Sequence, residues 1–218
     1  MNSIGLFAKY WQPGKVKTRL AASIGASVAA DFYQQMLRVT LDRLSDVGDV
    51  RQIVFTPTKN QEDFASLNPK WQIQAQSLGD LGSRLENFFA NQFTLGATKV
   101  IAIGGDCPQI SSEVIEDVWT QLEQKTAVWG PAHDGGYYLI GLSQMEPSLF
   151  REIDWSTPKV LAQSIARANV ANIAFALARE SYDVDDLKSL TRFVEDFATS
   201  EDVNLARLAQ LFSKSVQI

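Results

Sequence analysis

The stretch "KVIAIGGDCPQI", residues 99–110, places a short apolar strand directly before a glycine pair and a carboxylate. The four apolar residues 100–103 predict a buried strand, and Pro108 ends its pairing. The glycines have no side chains, so a ligand can approach Asp106. An acid exposed there suits Mg²⁺, which takes one or two protein carboxylates and otherwise binds phosphate oxygens and water. A capping or turn aspartate explains Asp106 equally well from this stretch alone.

Strand and helix patterns alternate on both sides of this stretch. Apolar runs predict strands at residues 4–8, 52–56, 71–76, 99–105, 126–132, 137–142 and 172–177. Apolar residues at helical spacing lie between most of them. This alternation predicts an α/β fold, a three-layer sandwich with a mostly parallel central sheet. No repeat, low-complexity run or linker interrupts the chain, so we expect a single domain over residues 1–218.

Capping residues predict where two of the helical segments begin or end. Gly48 is a candidate C-cap for the helix that follows the first strand. Thr157 is a natural N-cap, and Pro158 is a natural first-turn residue of the helix after it. The tail from Asp185 to about Ser213 is predicted to be helical.

Composition excludes several classes of protein. The chain has 218 residues, a formal charge of -5, one cysteine and one histidine. The negative charge argues against general nucleic-acid binding, and no apolar run approaches the ~20 residues of a membrane helix. With a single cysteine and no basic segment before the first apolar run, we expect a soluble, cytoplasmic protein. The lone His133 disfavours hydrolase-type nucleophilic catalysis.

A basic loop follows the first strand of this otherwise acidic chain. In "KYWQPGKVKTRL", residues 9–20, four cations lie close together: Lys9, Lys15, Lys17 and Arg19. Gly14 lets the backbone turn closely and Pro13 stiffens the turn, so the loop suits phosphate better than it suits a solvated turn. It is not a Walker A loop, since Val16 follows Gly14 and Lys15.

Two acidic stretches in the second half of the chain are further candidates. In "YDVDDL", Asp183 and Asp185 alternate, so both side chains face the same way in an extended chain. Two carboxylates held close favour a bound cation or a raised pKa; a capping role explains Asp185 but not Asp183. In "HDGG", Asp134 precedes Gly135 and Gly136, where a plain β-turn and a binding site are equally good interpretations.

Taken together, these stretches resemble a family of glycosyltransferase-like proteins, also described as radical-SAM/selenium-domain-associated transferases. The matching stretches are "FAKYWQPGKVKTRL", "QSLGDLGSRL", "IGGDCPQI", "GPAHDGGYYLIGL", "FREIDWSTPKVL" and "YDVDDL", in the family's order. The family resembles the glycosyltransferase-A type, or nucleotide-diphospho-sugar transferase fold. Its understood relatives look like 2-phospholactate and phosphoenolpyruvate guanylyltransferases. The resemblance covers residues 4–187, although Trp11 replaces the family's usual proline.

The resemblance implies roles for particular residues. Lys17, Arg19 and Asp106 are the expected catalytic residues, and Asp106, Asp183 and Asp185 would bind Mg²⁺ or Mn²⁺. The remaining residues expected to contact the nucleotide or the acceptor are Lys9, Gly14, Lys15, Gly79, Asp80, Gly82, Arg84, Asp134, Gly135, Gly136 and Thr157.

These expectations favour a Mg²⁺-dependent nucleotidyltransferase. Its partners would be a nucleoside triphosphate and a small anionic acceptor, without nucleic acid or membrane. Such chemistry needs positioning and electrostatic stabilisation more than a protein nucleophile. One alternative is a glycosyltransferase that uses a nucleotide sugar, with Asp134 as the base. Another is a nucleotide-binding module without catalysis.

Overall fold

Seven strands form one sheet in the computed structural model, which describes residues 1–216. The strands are β1 Asn2–Lys9, β2 Val50–Thr56, β3 Gln72–Ala75, β4 Lys99–Gly104, β5 Ala127–Pro131, β6 Tyr137–Leu142 and β7 Phe175–Leu177. Their order across the sheet is β3-β2-β1-β4-β6-β5-β7. In the described sheet β6 is antiparallel to both neighbours, and the other pairings are parallel. The mostly parallel sheet predicted from the sequence is therefore confirmed.

Helices cover both faces of this sheet. They are α1 Thr18–Ile24, α2 Ala26–Arg43, α3 Gln61–Ala65, α4 Leu81–Thr94, α5 Ser112–Gln121, α6 Val160–Val170, α7 Leu187–Phe197 and α8 Val203–Phe212. Within residues 1–216, no helix combines the length and the apolar character needed to cross a bilayer.

Strand β4 shows how the sequence produces three layers. Ile101 and Ile103 point into a core that contains residues of α2, α5, α7 and α8. Val100 and Ala102 point into a second core that contains residues of α4 and α6. Because successive side chains of a strand face opposite ways, a strand with apolar residues at every position is buried on both sides. The predicted three-layer α/β sandwich is confirmed.

The order of the strands decides where a ligand can bind. The chain adds β2 and β3 on one side of β1 and then returns to place β4 on the other side. The connections after β1 and β4 therefore leave a crevice at the carboxyl ends of these two strands. In open α/β sheets ligands bind at such a switch point. The basic loop and Asp106 both follow strands that border this crevice.

Two of the predicted helix boundaries are wrong. Helix α2 ends at Arg43. There the α-helical hydrogen-bond pattern gives way to a tighter turn, in which the Ser45 amide donates to the carbonyl of Asp42 at 3.2 Å. Gly48, at φ +69°, instead belongs to the turn that leads into β2. Helix α6 begins at Val160, two residues later than predicted, because the Thr157 hydroxyl donates to the Asp154 carbonyl and accepts from the Lys159 amide at 3.3 Å in the turn that precedes the helix.

The predicted helical tail is interrupted. Helix α7 ends at Phe197 and α8 begins at Val203. The carboxylate of Asp202 accepts hydrogen bonds from the amides of Asn204 and Leu205, so it starts a new helix at this point. The single-domain prediction runs to residue 218, and residues 217 and 218 lie outside the described part of the chain.

Candidate active site

Lys17 is the centre of the crevice between β1 and β4. Its ammonium nitrogen lies 2.6 Å from Oδ1 of Asp106 and 2.6 Å from Oδ1 of Asp185. The Lys17 side chain is only 2% exposed, whereas those of Asp106 and Asp185 are 44% and 41% exposed. A buried cation thus joins two carboxylates that are open to solvent.

Backbone contacts bring the two acidic stretches together. The amide of Val184 donates to the carbonyl of Asp106 at 2.9 Å. The Gln109 side-chain amide donates to the Tyr182 carbonyl at 2.6 Å and to the Ser181 hydroxyl at 3.1 Å. The turn after β4 is therefore clamped to the segment that carries Asp183. The sequence gives no local signal for Gln109, because its partners lie more than seventy residues further along the chain.

The electrostatics of this cluster follow from burial and from its charges. Burial, reinforced by the negative charges of Asp106 and Asp185, raises the pKa of Asp183 to about 7. Burial acts to lower the pKa of Lys17, but the two flanking carboxylates outweigh it, so this pKa is raised. The ammonium therefore stays protonated, and Asp183 is the carboxylate whose charge is least compensated.

The donor set of the cluster fits a hard divalent cation. It consists of carboxylate oxygens, the ligands that Mg²⁺ prefers, and the Lys17 ammonium already stands between two of them as a cation. As the side chains now lie, no three carboxylate, imidazole or thiol groups in residues 1–216 come together in an arrangement that could hold a metal ion. The lysine and a metal ion would need the same oxygens.

The other cations of the basic loop remain open to solvent. Lys9, Lys15 and Arg19 are exposed, as is Gly14, which has φ +74°. Lys17 differs from them, because it is engaged by carboxylates and is not free to meet a phosphate in this arrangement. The three exposed cations belong to the basic loop after β1, which borders the crevice, and could contact an incoming anion.

The two glycines before Asp106 differ in the space that surrounds them. A Cβ on Gly105 would lie 2.7 Å from Cδ2 of Leu37 and 3.3 Å from the Tyr33 hydroxyl, so this glycine lets α2 pack closely on the sheet. A Cβ on Gly104 would meet only the Tyr138 carbonyl, at 3.8 Å. Open space for a ligand is therefore present at one glycine only.

The segment from Gly79 to Arg84 lies beyond the end of β3. The guanidinium of Arg84 donates to the Gly79 carbonyl at 2.9 Å and to Oε1 of Gln76 at 3.0 Å. The Asp80 carboxylate caps α4, and Gly82 is buried against Trp155. A cavity of about 390 Å³ adjoins this segment, lined in part by Gln74, Gln76, Ser77, Arg84, Asn87 and Phe88.

The loop between β5 and β6 borders the acidic cluster on its other side. Oδ1 of Asp134 accepts a hydrogen bond from the Gly136 amide at 2.8 Å, and its charge contributes to the raised pKa of Asp183. His133 lies with its Nδ1 3.1 Å from Nη1 of Arg192. The structure thus places Asp134 close to the predicted metal ligands and pairs the single histidine with an arginine of α7.

Gly135 is expected to be intolerant of a side chain. It has φ +88°, and a Cβ there would lie 2.2 Å from the Pro158 carbonyl oxygen. We expect Gly135→Ala to lower the free energy of unfolding by about 2–3 kcal/mol, measured by urea denaturation. Gly14→Ala is the matched control: its φ is also positive, but nothing lies within 4 Å of the added Cβ. It should lose only about 1 kcal/mol, and equal losses would contradict the role given to Pro158.

The fold is shared with solved structures of transferases. A Desulfovibrio desulfuricans G20 protein, provisionally assigned as a nucleotide-diphospho-sugar transferase, is 28% identical with a TM-score of 0.91, over 99% of this chain and 96% of that one. A cytidylyltransferase from Leptospira borgpetersenii serovar Hardjo-bovis is 15% identical with a TM-score of 0.57, over 98% and 94% of the two chains. A CMP:2-keto-3-deoxy-manno-octonic acid synthetase solved with CTP is 12% identical with a TM-score of 0.58, over 96% and 99%.

These similarities confirm the predicted glycosyltransferase-A type of fold and the predicted transferase class. The two less identical structures support the fold alone. No curated protein sequence matches the chain. Residues 40–157, more than half of the chain, match a family described as an uncharacterized protein conserved in bacteria. The chain therefore belongs to this family, DUF2064.

Proposed function

We propose that the chain is a Mg²⁺-dependent nucleotidyltransferase, which moves a nucleotidyl group from a nucleoside triphosphate to a small anionic acceptor. One observation carries the proposal. Carboxylates from the middle and the end of the chain converge on a cation, Lys17, at the switch point of the sheet and beside a loop with exposed cations. A triphosphate needs positive charge on both sides of its phosphates, and this crevice has residues to provide it.

Asp106, Asp183 and Asp185 are the residues that would hold the metal ion, with Mn²⁺ as an alternative to Mg²⁺. When bound, the ion would neutralise negative charge on the phosphates and on the departing pyrophosphate. Asp183 suits this role because it is partly buried, and because burial and the negative charges of Asp106 and Asp185 raise its pKa. A divalent cation would supply the missing positive charge.

The basic loop would hold the phosphates from the opposite side. Arg19, Lys15 and Lys9 are exposed, and Arg19 can form the bidentate contacts that suit a phosphate. Gly14, with nothing within 4 Å of its missing side chain, leaves its backbone accessible to a bulky anion. These groups would orient the α-phosphate toward the acceptor.

The transfer itself needs little acid–base chemistry from the protein. An oxygen of the acceptor phosphate or carboxylate forms a bond to the α-phosphorus, and the bond from this phosphorus to the bridging oxygen breaks as pyrophosphate leaves. An anionic acceptor has no proton to give up, so no general base is required. The position of the single histidine agrees with this, since His133 faces Arg192 and Glu180.

The 28% identical structural relative favours a second candidate, a glycosyltransferase that uses a nucleotide sugar. In that reaction a hydroxyl acceptor must lose a proton, and the leaving group is a nucleoside diphosphate. Asp134 is the best-placed base, because it is exposed and lies close enough to Asp183 for its negative charge to raise the pKa of Asp183.

Product analysis separates the two candidates. A thermal-shift screen of nucleoside triphosphates and nucleotide sugars, with and without Mg²⁺, first identifies the nucleotide, since a ligand that binds only the folded state raises Tm. We expect a triphosphate with Mg²⁺ to give the largest shift and pyrophosphate to appear when a panel of phosphate and carboxylate acceptors is added. Release of free nucleoside diphosphate from a nucleotide sugar would favour the glycosyltransferase. A shift with none of these compounds would contradict both.

A further inference from the structure

The ammonium of Lys17 occupies the position between carboxylates that a metal ion would need. It is 2.6 Å from Oδ1 of Asp106 and from Oδ1 of Asp185, a hydrogen-bonding distance for a charged pair. In this arrangement no three candidate ligands in residues 1–216 are positioned for a metal. The carboxylates are gathered around a cation that belongs to the protein.

The backbone holds Lys17 in this position. Lys17 is a non-glycine residue in the left-handed conformation, with φ +46° and ψ +45°, directly before α1. The Ala21 amide donates to its carbonyl at 2.7 Å, which ties the residue to the first turn of the helix. Its side chain passes the ring of Tyr33, whose centroid is 5.6 Å from the ammonium. The left-handed conformation costs energy in a residue with a side chain, and such strained conformations often occur at functional sites.

We propose that Lys17 is a built-in competitor of the metal ion. Without metal its single positive charge offsets part of the negative charge of Asp106 and Asp185. The ammonium must leave them when a divalent cation binds, because the two cations repel each other and require the same oxygens. The inference rests on the metal site of the proposed function. A free nucleotide brings phosphates that can accept the displaced ammonium, so metal alone binds weakly and metal together with nucleotide binds well.

The opposite possibility is that Lys17 only supports the fold of the site. In that case its removal would let Asp106 and Asp185 repel each other and separate, and metal affinity would fall. The two possibilities therefore predict changes of opposite sign in the same measurement, made without nucleotide.

Titration with Mn²⁺ alone, followed by the EPR signal of the free ion, tests the inference. We expect Lys17→Met to bind Mn²⁺ at least about tenfold more tightly than the wild type, since a charged hydrogen bond no longer has to be broken. Lys17→Gln, which keeps a polar group, is the second variant in case the first folds poorly. Lys188→Met is the matched control, because it removes the same charge from an exposed position near Asp186 and should change the affinity less than twofold.

The outcomes separate this inference from the proposed function. Tighter binding by both Lys17 variants and not by Lys188→Met supports the competition. If the wild type binds Mn²⁺ and the Lys17 variants bind it equally or more weakly, the competition is wrong and the metal site stands. If neither the wild type nor any variant binds Mn²⁺ at millimolar concentration, the metal site itself is wrong and the competition is wrong with it.

Discussion

Asp106→Asn is expected to lower the rate of pyrophosphate release about 10³-fold, with the protein still folded. Asparagine has nearly the same shape, but it carries no charge and is a poor ligand for Mg²⁺. The change also removes one of the two carboxylates that hold the Lys17 ammonium. The rate is measured with the nucleotide that the thermal-shift screen identifies, at saturating Mg²⁺.

Asp186→Asn is the matched control for this experiment. Asp186 lies next to Asp185 in the chain but serves as the N-cap of α7, where its carboxylate accepts from the Ser189 amide at 2.8 Å. Asparagine caps helices about as well as aspartate does, so the rate should change by less than about twofold. If Asp106→Asn keeps more than a tenth of the wild-type rate, Asp106 does not bind the catalytic metal.

Much of the fold follows from local sequence patterns. In β4 the unbroken apolar run predicts a strand that is buried on both faces, and its four residues divide evenly between the two cores. In helix α4 the apolar residues repeat at helical spacing, and the chain leaves the helix at Leu95 and Gly96, where Gly96 has φ +90°. Such features depend on neighbouring residues in the sequence, so the sequence alone predicts them.

The family resemblance predicts a shared metal site for Asp106, Asp183 and Asp185, whereas it does not predict the position of Lys17. The structure brings the two acidic stretches together, since the Val184 amide donates to the carbonyl of Asp106. Lys17 was expected to contact phosphate as part of a basic loop. Its left-handed backbone turns the side chain inward to Asp185, 168 residues away in the chain. Partners this distant leave no local pattern.

Arg43 shows how strongly the site depends on such distant contacts. At the end of α2, its Nε donates to Oδ2 of Asp202 at 2.7 Å, and its Nη1 donates to the carbonyls of Pro108 and Ile110. The side chain is only 11% exposed. Arg43 therefore joins three elements: α2, the turn that follows Asp106, and the start of α8. Nothing in the sequence near Arg43 indicates these contacts.

Arg43→Met is expected to lower the free energy of unfolding by about 3 kcal/mol, which corresponds to a fall in Tm of roughly 6–12 °C. Methionine keeps much of the apolar volume but leaves the Asp202 carboxylate and two carbonyls without their buried donor. Loss of the guanidinium removes the donor from three acceptors at once, and an acceptor that is left unsatisfied inside the protein costs more than its hydrogen bond contributed. Calorimetry of the purified variant measures the change.

Arg38→Met controls for the removal of a positive charge from the same helix. Arg38 lies on α2 and is half-buried, so we expect its loss to change the free energy of unfolding by about 0.5 kcal/mol or less. Because Arg43 holds the turn that carries Asp106, its substitution should also weaken Mn²⁺ binding, while Arg38→Met should not. A loss of less than about 1 kcal/mol for Arg43→Met would show that the three contacts of the guanidinium are replaced by water at little cost.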